Sequence, residues 1–294
     1  MTIAVLGAGV MGRNIARVFL RAGHDVALFS RTEATREDAR ATLDGEVGGV
    51  LTTTGSVQDA VADARLVLES VPERADLKQA LLGEAEAAVG ADAIVATNTS
   101  SLPLDRLAEV LHRPERFLGL HWFNPAHLIP LVEVVPAPAT DAGVVERSAA
   151  LLAEAGKSPR VLRRAVPGFL ANRLQYALIR EALQLLEDGV ADAETIDAVI
   201  TECLGPRWAV VGPLRSSDLA GIDTVVAVAE QLYADLSRVT EPQRVLSDLQ
   251  DAGRLGARAG RGFHNYPDPA AAAAERDRGL EAVLATLEAL RAAR

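Results

Sequence analysis

The sequence contains a single cysteine, Cys203, among its 294 residues. One thiol cannot form an intrachain disulfide or a cysteine-based metal cluster. The 5 histidines show none of the spacings that place two imidazoles on one face of a helix. We therefore predict that the protein has no metal site.

An excess of positive charge is also missing, because 30 Lys and Arg face 40 Asp and Glu, for a net charge of −10. Nucleic-acid-binding proteins usually present a basic face, and no apolar run approaches the roughly 18 residues of a membrane span. The first residues lead directly into a predicted strand and a glycine loop, so we expect no secretory signal. The composition favours a cytoplasmic α/β protein with neither nucleic-acid nor membrane partners, long enough for two ordinary domains.

The first thirty residues follow the order strand, glycine loop, helix, strand. Thr2–Leu6 is a short β-branched apolar run that predicts a buried parallel strand. The loop Gly7–Gly12 has the spacing GxGxxG, Arg13–Arg21 has helical periodicity, and Asp25–Phe29 predicts a second strand. This is the context that a dinucleotide-binding fingerprint requires. The alternative is a structural glycine turn in an unrelated α/β protein.

Each position of the glycine loop has a physical role in such a site. Gly7 permits the tight turn, Gly9 lets the backbone approach a pyrophosphate, and Gly12 lets the helix pack closely on the strand. The helix N-terminus, with Val10 and Met11 in its first turn, offers free N–H groups and partial positive charge to the phosphates. We predict that these five residues bind the cofactor.

The end of the second strand discriminates between NAD and NADP. An acidic residue there binds the ribose hydroxyls of NAD, whereas this chain has Ser30-Arg31. An arginine can pair with a 2′-phosphate and stack on the adenine. We therefore predict that Ser30 and Arg31 contact the cofactor and favour NADP over NAD. The alternative is that Arg31 is a solvated loop residue and that NAD binds without its usual acidic partner.

Polar residues follow two further predicted strands. Arg65–Glu69 leads to Glu73, and Ala93–Thr97 leads to the loop Asn98–Ser101. In a doubly wound sheet the carboxyl ends of the strands line the cofactor crevice. We expect Glu73 and the loop, Asn98 included, to lie near the nicotinamide. The remaining elements predicted before residue 165 are the strands Phe117–Trp122, Leu131–Val135 and Arg160–Leu162, and helices at Glu33–Leu43, Leu77–Val89, Pro103–Leu111 and Asp141–Ala155.

Pro167-Gly168 separates this region from an almost wholly helical one. We place an N-terminal dinucleotide-binding domain at 1–165 and an all-α substrate and dimerisation domain at 166–294. The helices predicted in the second domain are Phe169–Glu187, Ala193–Thr201, Ser217–Ser237 and Ala270–Ala292.

Motifs across most of the chain resemble those of the L-3-hydroxyacyl-CoA dehydrogenase family, in the family's order. The matching stretches are Gly7–Ala16, Asn98–Leu102, Gly119–Pro125, Leu131–Val134, Pro167–Arg173, Gly212–Leu214 with Asp218 and Gly221–Asp223, and Gly260–Phe263. The resemblance implies a Rossmann-like domain followed by a helical, dimer-forming domain. It also implies reversible oxidation of a 3-hydroxyacyl thioester to its 3-oxoacyl form.

The resemblance also implies roles for individual residues. It places the general base at His121, its carboxylate partner at Glu133, and the substrate-oxygen contacts at Ser100 and Asn172. The cofactor contacts that it implies are Glu73, Lys78, Ser100, Asn124 and Arg258, the last where the family commonly has lysine.

The residue chemistry is consistent with these roles. Oxidation of a secondary alcohol requires removal of a hydroxyl proton, and histidine ordinarily titrates near neutrality, which suits that task. If the strands that carry His121 and Glu133 are antiparallel neighbours, the carboxylate can accept a hydrogen bond from one ring nitrogen and leave the other for substrate. The alternatives are a half-buried strand histidine, Asn172 as a cap at the domain junction, and Ser100 as the N-cap of the following helix.

One departure from the family concerns the substrate. Family members that use coenzyme A usually have a long helical arm after the second strand, and only Thr32–Leu51 is present here. We rank an acyl-CoA and a thioester carried by an acyl carrier protein close together, with a free 3-hydroxy acid third. A non-catalytic dinucleotide-binding sensor is the alternative of another class.

Overall fold

A computed structural model describes residues 1–293, which divide into two compact units, 1–173 and 174–293. The first unit is built on one eight-stranded sheet with the order β3-β2-β1-β4-β5-β6-β7-β8. Its strands are β1 (Thr2–Leu6), β2 (Asp25–Phe29), β3 (Leu51–Thr54), β4 (Ala64–Glu69), β5 (Ile94–Thr97), β6 (Phe117–Trp122), β7 (Leu131–Pro136) and β8 (Ser158–Val161). The predicted Rossmann-like architecture is confirmed.

Apolar side chains on both faces of the strands explain why this sheet is covered on both sides. In β1, Ile3 and Val5 enter one core cluster while Ala4 and Leu6 enter the other, which is the two-residue period of a strand. The flanking helices are α1 (Val10–Arg21), α2 (Glu33–Leu43), α3 (Val57–Val61), α4 (Ala75–Ala88), α5 (Leu104–Ala108) and α6 (Ala142–Glu154).

The strand order reverses beside β1, and this reversal predicts where a ligand binds. The chain runs from β1 through β2 to β3 and then returns to β4 on the other side of β1. Ligands of doubly wound sheets bind outside the carboxyl ends of the strands at such a reversal. All neighbouring strands are parallel except β6 and β7, which pair antiparallel with His121 opposite Glu133. The predicted juxtaposition of these two strands is confirmed.

The second unit is helical, as predicted. The helices from the end of the first unit onward are α7 (Ala171–Glu187), α8 (Ala193–Val199), α9 (Gly205–Val210), α10 (Pro213–Ala220), α11 (Ile222–Leu232), α12 (Arg244–Asp251) and α13 (Pro269–Ala292). The single helix predicted over Ser217–Ser237 is wrong, because Gly221 has a φ of +93° and separates α10 from α11. Within residues 1–293, no helix combines the length and apolar character needed to cross a membrane.

Candidate active site

The glycine loop requires glycine at two of its three glycine positions. Gly7 has a φ of +124°, and a β-carbon there would lie 2.5 Å from the Ser70 carbonyl oxygen. A β-carbon at Gly12 would collide with the Gly7 carbonyl, whereas one at Gly9 would meet nothing within 4 Å. The open side of the loop therefore lies at Gly9, which is the N-cap of α1.

The N-terminus of α1 fits an anionic group. No side chain caps the helix, and no acidic residue occupies its first turn. Its first N–H groups, from Val10 and Met11 on, lack intrahelical acceptors and carry the positive end of the helix dipole. The residues present therefore fit the pyrophosphate of a dinucleotide.

The end of β2 borders a cavity of about 540 Å³ lined in part by Phe29, Arg31 and Gly55. Arg31 is exposed and makes no hydrogen bond or ion pair with the part of the chain that the structure describes. Ser30 contributes its backbone, which donates to Thr54 and accepts from the Arg36 guanidinium. Arg31 is thus available to a ligand in this cavity.

His121 and Glu133 form a buried hydrogen-bonded pair. His121 Nδ1 lies 2.8 Å from Glu133 Oε2, and the two residues are 2% and 1% exposed. Burial raises the pKa of the Glu133 carboxyl, but hydrogen bonds from His121 and from the backbone N–H groups of Ala171 and Leu170 outweigh it and hold the pKa below its ordinary value. The ionised carboxylate selects the tautomer in which Nδ1 carries the proton, and this leaves Nε2 as an acceptor.

The other oxygen of Glu133 is held by the start of α7. Its Oε1 accepts from the N–H groups of Leu170 at 3.1 Å and Ala171 at 2.8 Å. The preceding Phe169 has a φ of +49°, a strained conformation for a non-glycine residue, and it explains why α7 begins two residues later than predicted. The buried Phe169 ring packs edge-on against His121, with centroids 5.4 Å apart. The left-handed backbone at Phe169 thus places two N–H donors at Glu133 and an aromatic ring against the imidazole.

Ser100 completes the group on the other side of the imidazole. Its Oγ lies 3.1 Å from His121 Nε2, and Asn172 Nδ2 donates to its carbonyl oxygen over 3.3 Å. Ser100 does not cap α5, whose N-cap is Pro103. The structure therefore brings together all four residues predicted to be catalytic, in an arrangement suited to proton transfer at Nε2.

Glu73 fixes the loop that carries Ser100. Its Oε1 accepts from Thr99 Oγ1 at 2.6 Å, from the N–H groups of Ser100 at 2.9 Å and Ser101 at 3.0 Å, and from Ser101 Oγ at 3.1 Å. Burial raises the pKa of Glu73, but the Thr99 hydrogen bond, the Lys78 charge and the two backbone donors lower it below its ordinary value.

Lys78 is 1% exposed and lies behind Glu73. Its Nζ is 2.8 Å from Glu69 Oε1, 3.1 Å from the Val71 carbonyl and 3.3 Å from Glu73 Oε2. Thr97 Oγ1 donates to Glu69 Oε2 at 2.6 Å. In this structure the ammonium contacts two carboxylates and a carbonyl oxygen, and its predicted contact with the cofactor stays a prediction.

The remaining predicted contacts are distributed along the chain. Asn98 ties strand ends together, since its Oδ1 accepts from Trp122 N at 2.9 Å and its Nδ2 donates to Ser70 Oγ at 3.3 Å. Asn124 is exposed just beyond β6. Arg258 belongs to the second unit, where it lines a cavity of about 760 Å³. The roles of Asn124 and Arg258 stay predictions.

Sequence reasoning missed several residues that shape the site. Phe123 and Phe169 pack on His121, with the Phe123 ring centroid 4.5 Å from that of the imidazole. Glu69 accepts from Lys78 and is itself held by the hydroxyl of Thr97. The one available signal was an acidic residue, Glu69, at the end of an otherwise apolar strand, because a buried charge requires a partner.

Comparisons with known proteins identify the family of this chain. The sequence profile of the 3-hydroxyacyl-CoA dehydrogenase NAD-binding domain matches residues 2–165, and that of the 3-hydroxyacyl-CoA dehydrogenase C-terminal domain matches residues 168–266.

Individual relatives cover nearly the whole chain. The 5-formyl-3-hydroxy-2-methylpyridine 4-carboxylate 5-dehydrogenase of Mesorhizobium japonicum is 35% identical over 97% of this chain and 98% of that enzyme. The L-carnitine dehydrogenase of Streptomyces griseus is 38% identical over 96% of this chain and 88% of its own length. A crystal structure of a 5-formyl-3-hydroxy-2-methylpyridine 4-carboxylic acid 5-dehydrogenase, described as an NAD+-dependent dismutase, superposes with a TM-score of 0.93 at 36% identity over 98% of both chains.

Proposed function

The chain belongs to the 3-hydroxyacyl-CoA dehydrogenase family, and from this we propose that it transfers a hydride between a nicotinamide cofactor and the hydroxyl-bearing carbon of a 3-hydroxyacyl substrate. The observation that carries the proposal is the buried His121–Glu133 pair, with Nε2 turned to Ser100. A protein that only senses a dinucleotide has no need of such a proton-transfer group.

In the oxidative direction, His121 Nε2 removes the hydroxyl proton as the C–H bond breaks. The bound nicotinamide ring supplies the hydride acceptor. Glu133 stabilises the imidazolium that forms, and its two backbone donors at α7 keep it ionised and oriented. Ser100 Oγ and Asn172 Nδ2 hydrogen-bond the reacting oxygen, where negative charge develops. In the reductive direction His121 returns the proton to the alkoxide.

NADP is the cofactor that the end of β2 favours. Ser30 cannot repel a 2′-phosphate as a carboxylate would, and the exposed Arg31 lines the adjoining cavity. The pyrophosphate would bind at Val10, Met11 and the glycines of the loop. NAD is the alternative cofactor, and the NAD+ dependence of the similar solved enzyme speaks for it.

The group that carries the acyl chain could be coenzyme A, an acyl carrier protein or none, and the link between β2 and β3 bears on the choice. One helix, α2, fills the link between β2 and β3, so the chain lacks a helical arm that could clamp an adenine there. The family name favours an acyl-CoA thioester, while the names of the similar enzymes favour a free hydroxy or carbonyl acid. A thioester on an acyl carrier protein needs no adenine clamp either. With these names added, we place the free 3-hydroxy acid level with the two thioesters.

Side-by-side steady-state kinetics test the proposal, with acetoacetyl-CoA, acetoacetyl-pantetheine and free 3-oxo and 3-hydroxy acids, each with the NADP and NAD couples. We expect turnover with at least one substrate, and the ratio of kcat/KM values identifies the group that carries the acyl chain. Tight cofactor binding without turnover of any of them would overturn the proposal in favour of a dinucleotide sensor.

We further propose that the protein is a homodimer joined through the second unit. Among its described residues only Leu183, Gln243 and Gly262 are buried, while apolar side chains such as Leu214 and Leu219 are 83% and 72% exposed. Apolar area of this extent is characteristic of a surface that a partner covers.

A further inference from the structure

Only two of the 30 basic side chains are lysines, Lys78 and Lys157, and all the others are arginines. Neither lysine is an exposed surface cation. Lys78 is 1% exposed and pairs with Glu69, whereas Lys157 is half-buried in the turn between α6 and β8. Across residues 1–293, no carboxylate lies within ion-pair distance of the Lys157 ammonium. A half-buried charge without a counter-ion requires another explanation.

The partners of Lys157 are backbone carbonyls. Its Nζ lies 2.7 Å from the carbonyl oxygen of Ala126, 3.0 Å from that of Ile129 and 3.5 Å from that of His127. The face of the Trp122 ring is near, with its centroid 5.6 Å from Nζ. The ammonium is thus enclosed by dipoles and an aromatic ring.

These carbonyls belong to one turn. The N–H groups of Leu128 and Ile129 both donate to the Pro125 carbonyl, so the chain makes a single helical turn. No following turn supplies N–H groups to its later carbonyls. A cation at the carboxyl end of a turn satisfies such carbonyls and their partial negative charge. Lys157 therefore caps this turn.

The turn lies in the segment that joins the two catalytic strands, residues 123–130, which we call the crossover segment. It follows β6 directly after His121 and Trp122 and precedes β7, which carries Glu133. Its last residue, Pro130, accepts the N–H of Ser158 at 2.7 Å, next to Lys157. Lys157 and its neighbour therefore hold the crossover segment at its turn and at its end.

We propose that Lys157 is a positioning residue for hydride transfer, which fixes the crossover segment and through it Phe123 and Asn124 beside His121. The role rests on the proposed function, because Phe123 packs on the imidazole and Asn124 is a predicted cofactor contact. A displacement of reacting groups by about 1 Å costs on the order of 10²-fold in rate, so the position of this segment affects turnover.

The choice of lysine supports the proposal in a chain that otherwise uses arginine. An ammonium directs three protons from one point toward carbonyls on different sides, whereas a guanidinium spreads its donors over a planar fork. Burial also lowers the pKa of Lys157 to about 8, which agrees with an amine withdrawn from water. Burying an ammonium costs desolvation free energy. Its hydrogen bonds to the crossover segment offset that free energy.

The test is removal of the amine followed by its chemical replacement. In Lys157→Ala the side chain is cut at Cβ, and n-propylammonium supplies the missing three carbons and nitrogen. We expect kcat to fall by about 10- to 100-fold, KM for the cofactor to rise, and added n-propylammonium, but not n-propanol, to restore a measurable part of kcat. Lys157→Met provides a second variant of similar volume, in case the alanine variant folds poorly. Arg160→Ala, which removes the neighbouring exposed cation, is the matched control and should retain wild-type kinetics.

The outcomes separate this inference from the proposed function. Wild-type turnover with unchanged kcat and cofactor KM in both Lys157 variants would overturn the positioning role and leave the proposed function standing. Variants that lose thermal stability but keep kcat at temperatures where they are folded would show a structural role alone and would also overturn it. A wild-type protein without turnover would overturn both.

Discussion

The two units of this chain differ in where they keep their apolar side chains. The first unit buries nearly all of them on the two faces of its sheet, and it also buries charged residues such as Lys78 and Glu133. In the second unit, the only buried residues among those described are Leu183, Gln243 and Gly262, and Leu214, Leu219 and Tyr233 are 66–83% exposed. The comparison shows that the first unit packs around its own apolar core, while the second exposes much of its apolar surface, which is the basis of the proposed dimer.

The difference extends to chemistry. Every member of the group Ser100, His121, Glu133 and Asn172 lies in the first unit, and each is anchored to a strand end or a helix start. Precise placement of reacting groups depends on such rigid support. The following predictions separate the contributions of the two units.

The largest effect is expected in the first unit. His121→Ala should lower kcat/KM by about 10²–10⁴-fold, the usual contribution of a general base. It should also lower the thermal unfolding midpoint, because the buried Glu133 carboxylate loses a hydrogen-bond partner. The rates are therefore compared at a temperature at which both proteins are folded. His112→Ala removes an exposed histidine and should retain wild-type kinetics. A loss of less than tenfold for His121→Ala would contradict its role as the base.

The next effect concerns assembly through the second unit. The double variant Leu214→Asp/Leu219→Asp should weaken self-association by about 10²-fold or more, because it would bury charges against apolar surface. Light scattering coupled to size exclusion, over a range of concentrations, measures the mass. Val47→Asp, at a residue of the first unit that is 77% exposed, is the matched control. A wild-type protein that is monomeric at high concentration would refute the dimer.

A smaller effect is expected at the adenosine end. Arg31→Asp should shift the ratio of kcat/KM values for NADP and NAD toward NAD by about 10- to 100-fold, since a charge-assisted contact contributes roughly 1.5–3 kcal/mol. Initial rates with both cofactors measure it. If the wild type already prefers NAD and Arg31→Ala changes nothing, our interpretation of Arg31 is wrong.

The smallest effect concerns Lys157 and the pH dependence of stability. Its pKa in the folded chain, about 8, lies below the ordinary value of 10.5. Between these values the unfolded chain binds more protons, so the free energy of unfolding should rise with pH in that window relative to Lys157→Met, by on the order of 1 kcal/mol given partial solvent screening. Urea unfolding of both proteins between pH 7 and 10 measures the difference. A difference that does not vary with pH would show that the amine is not desolvated.

Features determined by local pattern were predictable from the sequence. The alternation of short apolar runs with glycine-punctuated helices predicted the sheet, and α2 begins and ends at the predicted residues. The helix break at Gly221 was not predicted, because a lone glycine inside a periodic pattern is often tolerated. The left-handed backbone at Phe169 was not predictable either, since nothing in its own residue type favours it.

Some residues of the candidate site were predictable from the sequence and others were not. Motif spacing and family resemblance located His121 and Glu133, and strand pairing then required them to face each other. Contacts between elements distant in sequence were missed, such as Lys78 with Glu69 and Lys157 with the carbonyls of residues 126–129. These contacts depend on how a helix or a turn packs on the sheet, and a linear pattern does not encode that.

The scarcity of lysine has a practical consequence. Acylating reagents selective for amines leave guanidinium groups intact, so the side chains of this protein offer them two lysine targets, both in the first unit. Because Lys157 is half-buried and hydrogen-bonded to carbonyl oxygens, its acylation should be slower than that of an exposed amine and should speed up when the crossover segment opens. The acylation rate of Lys157, measured by mass spectrometry after a brief labelling pulse, thus reports local opening beside the imidazole without a dye or an engineered cysteine.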